Sequence, residues 1–239
     1  MIACLDEKGQ SYLYTVMYYD DHDRVIQRKS NNRLNGGVEK DYIAYNFIGQ
    51  PTKHKHIHSA AGKATQSEVY SYSYDYADRL QTTTHCLNNG PVMTLVNNEY
   101  DELGRLKHNR RNGQSNLHTN YAYNLRSWTE SISSPLFCET LYYNDTRSNP
   151  TNTRYYNGNI SGMDWSVNGD KKRGYDFSYD NLSRLLYADY LENNIRNHNF
   201  NTSYNYDKQG NIVSLMRSGN QNTTYGIIDN LTLNYRGNQ

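Results

Sequence analysis

Polar and apolar residues alternate over short stretches along most of this chain, and the alternation keeps stopping at one kind of punctuation. VYSYSYD puts Tyr70, Tyr72 and Tyr74 on one face of an extended segment, and YDFSYD does the same with Tyr175, Phe177 and Tyr179. NYAYN and SYNYD repeat the pattern with Tyr121 and Tyr123, and with Tyr204 and Tyr206. A period of two marks a half-buried strand. No window of a dozen residues carries the i, i+3, i+4, i+7 stripe of an amphipathic helix. The segments between are rich in Asn, Ser, Thr and Gly, which favour turns. The pattern predicts an all-β chain built from antiparallel hairpins.

The punctuation itself repeats. YDELGRL (Tyr100 to Leu106) recurs as YDNLSRL from Tyr179, YDYADRL from Tyr74, YDDHDRV from Tyr19 and YDKQGNI from Tyr206. The motif tyrosines are Tyr19, Tyr45, Tyr74, Tyr100, Tyr123, Tyr156, Tyr179, Tyr206 and Tyr235. Those at Tyr123 (YNLRSW), Tyr156 (YNGNI) and Tyr235 (YRGNQ) read as shortened copies. Asp20, Asp75, Asp101, Asp180 and Asp207 follow the tyrosine, where a carboxylate can accept a backbone N–H two residues on. Gly49, Gly104 and Gly210 hold the fifth position, where a tight turn wants φ > 0. Asp23 and Asp78 tolerate that conformation; Ser183 suits it less, which predicts a different local turn in that copy. An Arg such as Arg105 precedes a closing aliphatic (Val25, Leu80, Leu106, Leu185, Ile212) that starts the return strand. Pro51 replaces the aliphatic once and predicts an edge or a bulge. One hairpin is marginal in water, so about nine of them must share a sheet. Residues 1–239 then form one repeat region, with the first and last repeats incomplete and no separate second domain.

Composition narrows the partners. Among 239 residues, 25 basic and 24 acidic side chains nearly cancel, which gives no electrostatic argument for nucleic acid or an anionic membrane. The mean hydropathy of −0.99 raises the question of disorder. The 25 tyrosines answer it, because each buries a large ring while keeping a polar tip. No apolar run approaches the ~18 residues that would cross a membrane, and MIACLDEKGQ is not a signal peptide. Cys4, Cys86 and Cys138 are too scattered for a disulfide framework or a zinc site.

Three features invite chemistry. The repeated aspartates could form a catalytic pair only if their environments drove their pKa values apart. Identical turn positions would instead give a ladder of equivalent acids, so they read as structure and the chain as no enzyme. KHKHIH places His54, His56 and His58 on one face of a strand, where two imidazoles could share a Zn²⁺ or Cu²⁺ ion. No acid accompanies them within the segment, and a solvated polar strand face is the simpler expectation; no cofactor is expected. The tyrosine stripes could stack on sugars, but cross-strand packing accounts for them more simply. Trp128 and Trp165, in the irregular middle of the chain, are the first aromatics to examine for a ligand.

Y-D-x-x-G-R/N-L/I at intervals of twenty-odd residues resembles the YD repeats of the bacterial RHS family, and the resemblance runs from about Tyr14 to Gln239. It implies a β-sheet strip that spirals into a hollow shell around a C-terminal toxic domain, or, in animal relatives, a shell that supports adhesion. About nine repeats would make an open, curved sheet, part of such a shell. The resemblance implies a secreted or cell-surface setting, with the rest of a longer polypeptide and its cargo as partners. The ending NYRGNQ stops inside a repeat, which suggests a piece of a longer product without processing region or cargo. The alternative expectation is a cell-surface adhesion or glycan-binding module.

Overall fold

A computed structural model of the chain describes residues 2–5, 12–147, 150–235 and 237. It is all-β, with one 3₁₀ turn at Ser115–Leu117. The chain divides into two compact units, residues 1–118 and 119–239.

The first unit holds β1 (Ile2–Leu5), β2 (Tyr12–Tyr19), β3 (Val25–Asn31), β4 (Val38–Tyr45), β5 (Pro51–Ser59), β6 (Gln66–Tyr74), β7 (Leu80–Leu87), β8 (Met93–Tyr100) and β9 (Leu106–Arg111). Each strand pairs antiparallel with the next in sequence, an open meander. No apolar side chain among its described residues is buried. Its stability therefore rests on half-buried cross-strand pairs and backbone bonds rather than on an enclosed core. The ring stack His54–Tyr70–His85, with centroids 6.2 and 4.7 Å apart, is one such row running across β5, β6 and β7.

The second unit holds β10 (His118–Tyr123, whose first residue closes the first unit), β11 (Thr129–Ser133), β12 (Phe137–Tyr142), β13 (Gly162–Val167), β14 (Arg173–Tyr179), β15 (Leu185–Glu192), β16 (Ile195–Arg196), β17 (Thr202–Tyr206), β18 (Ile212–Gln221) and β19 (Thr224–Thr232). These too pair in order, except that β15 takes the short β16 and then β17 along the same side. Here four apolar or aromatic side chains are buried, Tyr143, Ala188, Tyr190 and Leu191, the last two on opposite faces of β15. Burial, with the Glu192 carboxylate beside it, pushes the Tyr190 hydroxyl up to about 12.

The structure chooses between the two alternatives expected for Pro51. Pro51 is in a bulge and not at an edge, since β5 is paired on both sides. The bulge is not peculiar to proline. Seven motif hairpins shift register directly before the motif tyrosine, which then faces the closing residue, as Tyr45 faces Pro51 and Tyr100 faces Leu106. A bulge adds local twist and lets a short turn join strands of this geometry.

Candidate functional site

The repeated element is a five-residue turn, and YDELGRL shows its parts. The N–H of Asp101 donates to the Arg105 carbonyl (2.8 Å), and the N–H of Gly104 donates to the Asp101 carbonyl (2.9 Å). The Asp101 side chain fills the middle. Its Oδ1 accepts the N–H groups of Leu103 and Arg105, both at 2.9 Å, and its Oδ2 accepts Arg105 Nε at 2.7 Å. Asp20, Asp75 and Asp180 repeat all three bonds with Arg24, Arg79 and Arg184. Asp207 substitutes Asn211 for the arginine. Asn46 does without a charge altogether, accepting the N–H of Gln50 and donating to its side chain.

These bonds set the electrostatics. At Asp75 and Asp207 the side chains of Arg79 and Asn211 are the largest influence and hold the carboxyl below the usual aspartate range. At Asp180 the backbone N–H of Arg184 leads. At Asp20 and Asp101 burial works the other way and is outweighed by the bonds from Arg24 and Arg105. All five stay ionised, in equivalent surroundings. Nothing differentiates an acid from a base.

The turns are also tied to one another. The Tyr45 hydroxyl donates to the Val25 carbonyl (3.0 Å), Tyr74 to Pro51 (2.8 Å) and Tyr100 to Leu80 (2.9 Å). In the second unit Tyr143 reaches Thr129 (3.1 Å), Tyr179 reaches Ile160 (2.9 Å), Tyr206 reaches Leu185 (2.8 Å) and Tyr235 reaches Ile212 (2.9 Å). Each acceptor is the closing residue of the preceding turn. It lies beyond the last backbone pair joining adjacent hairpins; Thr82 with Asn97, for example, is the pair next to Leu80. The tyrosine thus supplies a donor where the ladder runs out. The motif arginine crosses the same gap: Arg24 lies over Tyr45 (4.9 Å), Arg79 over Tyr100 (4.5 Å) and Arg184 over Tyr206 (4.7 Å). The Arg184 guanidinium also donates to the Asp207 carbonyl at 3.0 Å.

Geometry corrects several readings of the motif. Ser183 makes the same turn as its counterparts, at φ 61°, with its N–H on the Asp180 carbonyl at 3.0 Å. Three turn bonds organised by Asp180 outweigh the cost of one left-handed serine. The copy at Tyr123 is not shortened. Asn124 accepts the N–H groups of Arg126 and Trp128, Ser127 takes φ 62°, and Trp128 stands where the others have arginine. Tyr156 is not a ladder tyrosine; it is exposed, and Tyr143 does its work. That copy is split: Tyr143 opens it, an insertion follows, and Asn157 to Ile160 supply the turn and the closing carbonyl. Trp128 meets Tyr143 at 4.9 Å, as the arginines meet their tyrosines, and Trp165 stacks on Tyr175 at 5.7 Å. The turn after Tyr235 runs outside the described residues.

Inside the split repeat lies a cluster missed by sequence reasoning. Arg147, only 3% exposed, pairs with Asp164 (2.8 Å) and Asp176, and donates to the carbonyls of Met163 and Tyr175. Lys172 reaches Asp164, and Arg196 bridges Asp176 and Asp189. Gly174 is required here for close approach, because a Cβ would lie 2.7 Å from the Met163 carbonyl oxygen. No sequence signal marks it, because Asp164 and Asp176 share the small, polar face of β13 and β14 with Gly162, Ser166, Gly174 and Ser178.

The histidines are not on a merely solvated face. Register sets β5 beside β4 with Asp41 opposite His56 and Glu39 opposite His58. Asp41 Oδ1 meets His54 Nε2 (3.0 Å) and His56 Nδ1 (2.9 Å), its Oδ2 meets Arg28 (2.8 Å), and Glu39 Oε1 meets His58 Nδ1 (2.6 Å). Burial works to raise the Asp41 carboxyl, and the bonds from His56, His54 and Arg28 overcome it, leaving it below the usual range. The acids absent from the segment arrive from the neighbouring strand.

No protein-family model matches the chain, and comparison with curated proteins finds no match. Solved structures do align. The crystal structure of TcdB2-TccC3-Cdc42 matches 94% of this chain and 14% of its own, at 10% identity and TM-score 0.35. TcdB2-TccC3 without its hypervariable C-terminal region matches 90% and 14%, at 11% identity and TM-score 0.35. A porin-like protein from Bacteroides uniformis ATCC 8492 matches 90% and 92%, at 11% identity and TM-score 0.27. The chain thus spans about one seventh of the TcdB2-TccC3 chains it resembles. Scores this low carry no argument about activity.

Proposed function

We propose that this chain is a non-catalytic wall segment of a larger RHS-type protein, secreted or presented at a cell surface, whose β-sheet encloses or displays a C-terminal effector. The carrying observation is the tie between turns. Seven motif tyrosines donate to the closing carbonyl of the preceding turn, and four of their rings also carry that turn's arginine or tryptophan, so the repeat specifies a strip that extends by addition of like units. Both oxygens of each motif carboxylate are committed to its own turn, which leaves no differentiated pair for hydrolysis. A largely apolar cleft, lined by Ile43, Tyr45, Pro51, His54, Tyr72, Tyr74 and Leu80, is about 280 Å³. Small-molecule sites run to roughly 300–1,000 Å³, so this cleft does not argue for an enclosed substrate.

The test uses the longer polypeptide that contains this segment. A region downstream should resist protease while the wall is intact and become sensitive when Tyr74, Tyr100 and Tyr206 are changed together to Phe. Equal cleavage in both proteins rejects enclosure. The tyrosine-lined cleft leaves glycan-directed adhesion as the second reading, and saturable binding of the isolated chain on a glycan array would favour it.

A further inference from the structure

One atom pair on the β4–β5 face is wrongly matched for a hydrogen bond. Asp41 is buried and already holds Arg28 and His54, so it acts as an acceptor toward His56 Nδ1 at 2.9 Å. The proton of a neutral His56 is then on Nδ1 and its lone pair on Nε2. Nε2 faces Glu39 Oε2 at 3.1 Å. Oε2 is buried and has no hydrogen-bond donor, so the pair satisfies the distance of a hydrogen bond without its direction. With His56 neutral, two lone pairs this close repel, and a cation between them, a metal ion or a proton on Nε2, removes the repulsion; the metal titration below distinguishes the two.

We propose that this face is a divalent transition-metal site of the zinc or copper(II) class, with His56 Nε2 and the Glu39 carboxylate as ligands, His58 as the third, and Asp41 as the orienting partner of His56. Three observations support it. A metal-bound imidazole characteristically donates its other N–H to a carboxylate, which is the relation of His56 to Asp41. Ligand atoms bound at ~2.0–2.1 Å in a tetrahedron stand about 3.3 Å apart, within a few tenths of the His56–Glu39 distance. The local charge is suitable: Glu39, Asp41 and Glu68 (opposite His56 on β6) face one guanidinium, Arg28, while Lys53 and Lys55 alternate to the other face.

Among the described residues no three such side chains already surround a common point. The third ligand is His58, whose Nδ1 bonds Glu39 Oε1 at 2.6 Å and whose side chain is 26% exposed. Side-chain rotation lets it exchange the carboxylate oxygen for the metal without moving the strand. Mixed imidazole and carboxylate donors suit zinc and copper(II) better than calcium or magnesium, which take oxygen alone. The inference does not depend on the wall reading.

The experiment titrates the full chain, stripped with a chelator, with Zn²⁺ by calorimetry and with Co²⁺ by visible absorption. The expected result is one saturable equivalent, with the absorption of tetrahedral cobalt. His56→Ala and Glu39→Gln should abolish it, and Asp41→Asn should weaken it about 10–100-fold at unchanged stoichiometry. His22→Ala, on an exposed turn, should bind as the parent does. Glu39→Gln keeps the side-chain volume, and a thermal melt confirms that it folds. Absence of saturable binding, or binding that survives both His56→Ala and Glu39→Gln, overturns the assignment.

Discussion

The Tyr206 hydroxyl donates a 2.8 Å hydrogen bond to the carbonyl of Leu185, twenty-one residues earlier and one hairpin away. The acceptor lies past the Tyr187–Ser203 pair, where no backbone N–H of β17 reaches it. The ring also lies under the Arg184 guanidinium at 4.7 Å. Tyr206→Phe keeps the ring and its stacking and removes the one donor. It should cost about 0.5–1.5 kcal/mol in denaturant unfolding. No loss would mean that water serves the Leu185 carbonyl equally well.

Asp101 separates turn acceptor from ion-pair partner. Asn keeps the Oδ1 that takes the Leu103 and Arg105 N–H groups, as Asn46 and Asn124 show in their own turns. Ala removes both functions. Melting temperatures should therefore fall in the order parent, Asp101→Asn, Asp101→Ala. An Asn variant as unstable as Ala would shift the weight to the Arg105 ion pair.

Gly104 carries φ +82°, and a Cβ there would sit 3.1 Å from Arg79 Nη1, the guanidinium of the preceding turn. Gly104→Ala should lose about 1–2 kcal/mol from the left-handed backbone alone. Because Arg79 also lies over Tyr100, the same change should perturb the Tyr100 ring signals in an NMR spectrum. Unchanged stability and signals would show that the turn re-forms with other dihedrals.

Acid should dissolve the ladder. Asp20, Asp75, Asp101, Asp180 and Asp207 are all lowered from 3.8 in the fold. A depressed carboxylate contributes stability that is fully present above its unfolded value and is lost as pH falls through its folded one. The melting temperature should hold down to about pH 4 and then fall. Changing Asp75, Asp101 and Asp180 together to Asn should flatten that acid limb; a limb of undiminished slope would place its origin elsewhere.

Arg147 is the buried charge on which the split repeat depends. Arg147→Ala strands Asp164 and Asp176 without their partner and should cost about 3–5 kcal/mol. If the loss is much smaller, Lys172 and Arg196 already neutralise the two acids.

What could be read without coordinates follows from the range of each interaction. Asp101 with Leu103, Gly104 and Arg105 is closed within five residues, so the residue types at fixed offsets were enough to predict the turn. Ser183 was misjudged because propensity was weighed alone, without the three bonds that hold its backbone. The copy at Tyr123 was misread because Trp128 takes the place of arginine, an exchange that makes sense only when the ring is seen against Tyr143. Tyr143 itself was missed because its turn lies beyond an insertion, at Asn157 to Ile160.

The sequence alone determined the all-β class, the hairpin repeat and the role of the motif acids, because a period of two and a local Asx turn are properties of neighbouring residues. Tertiary structure decided which carbonyl each tyrosine reaches, which ring each arginine covers and which acids meet His54, His56 and His58. Those partners lie one strand or one hairpin away. Register between strands, set by the backbone pairing and by the bulge before each of seven motif tyrosines, is what brings them into range.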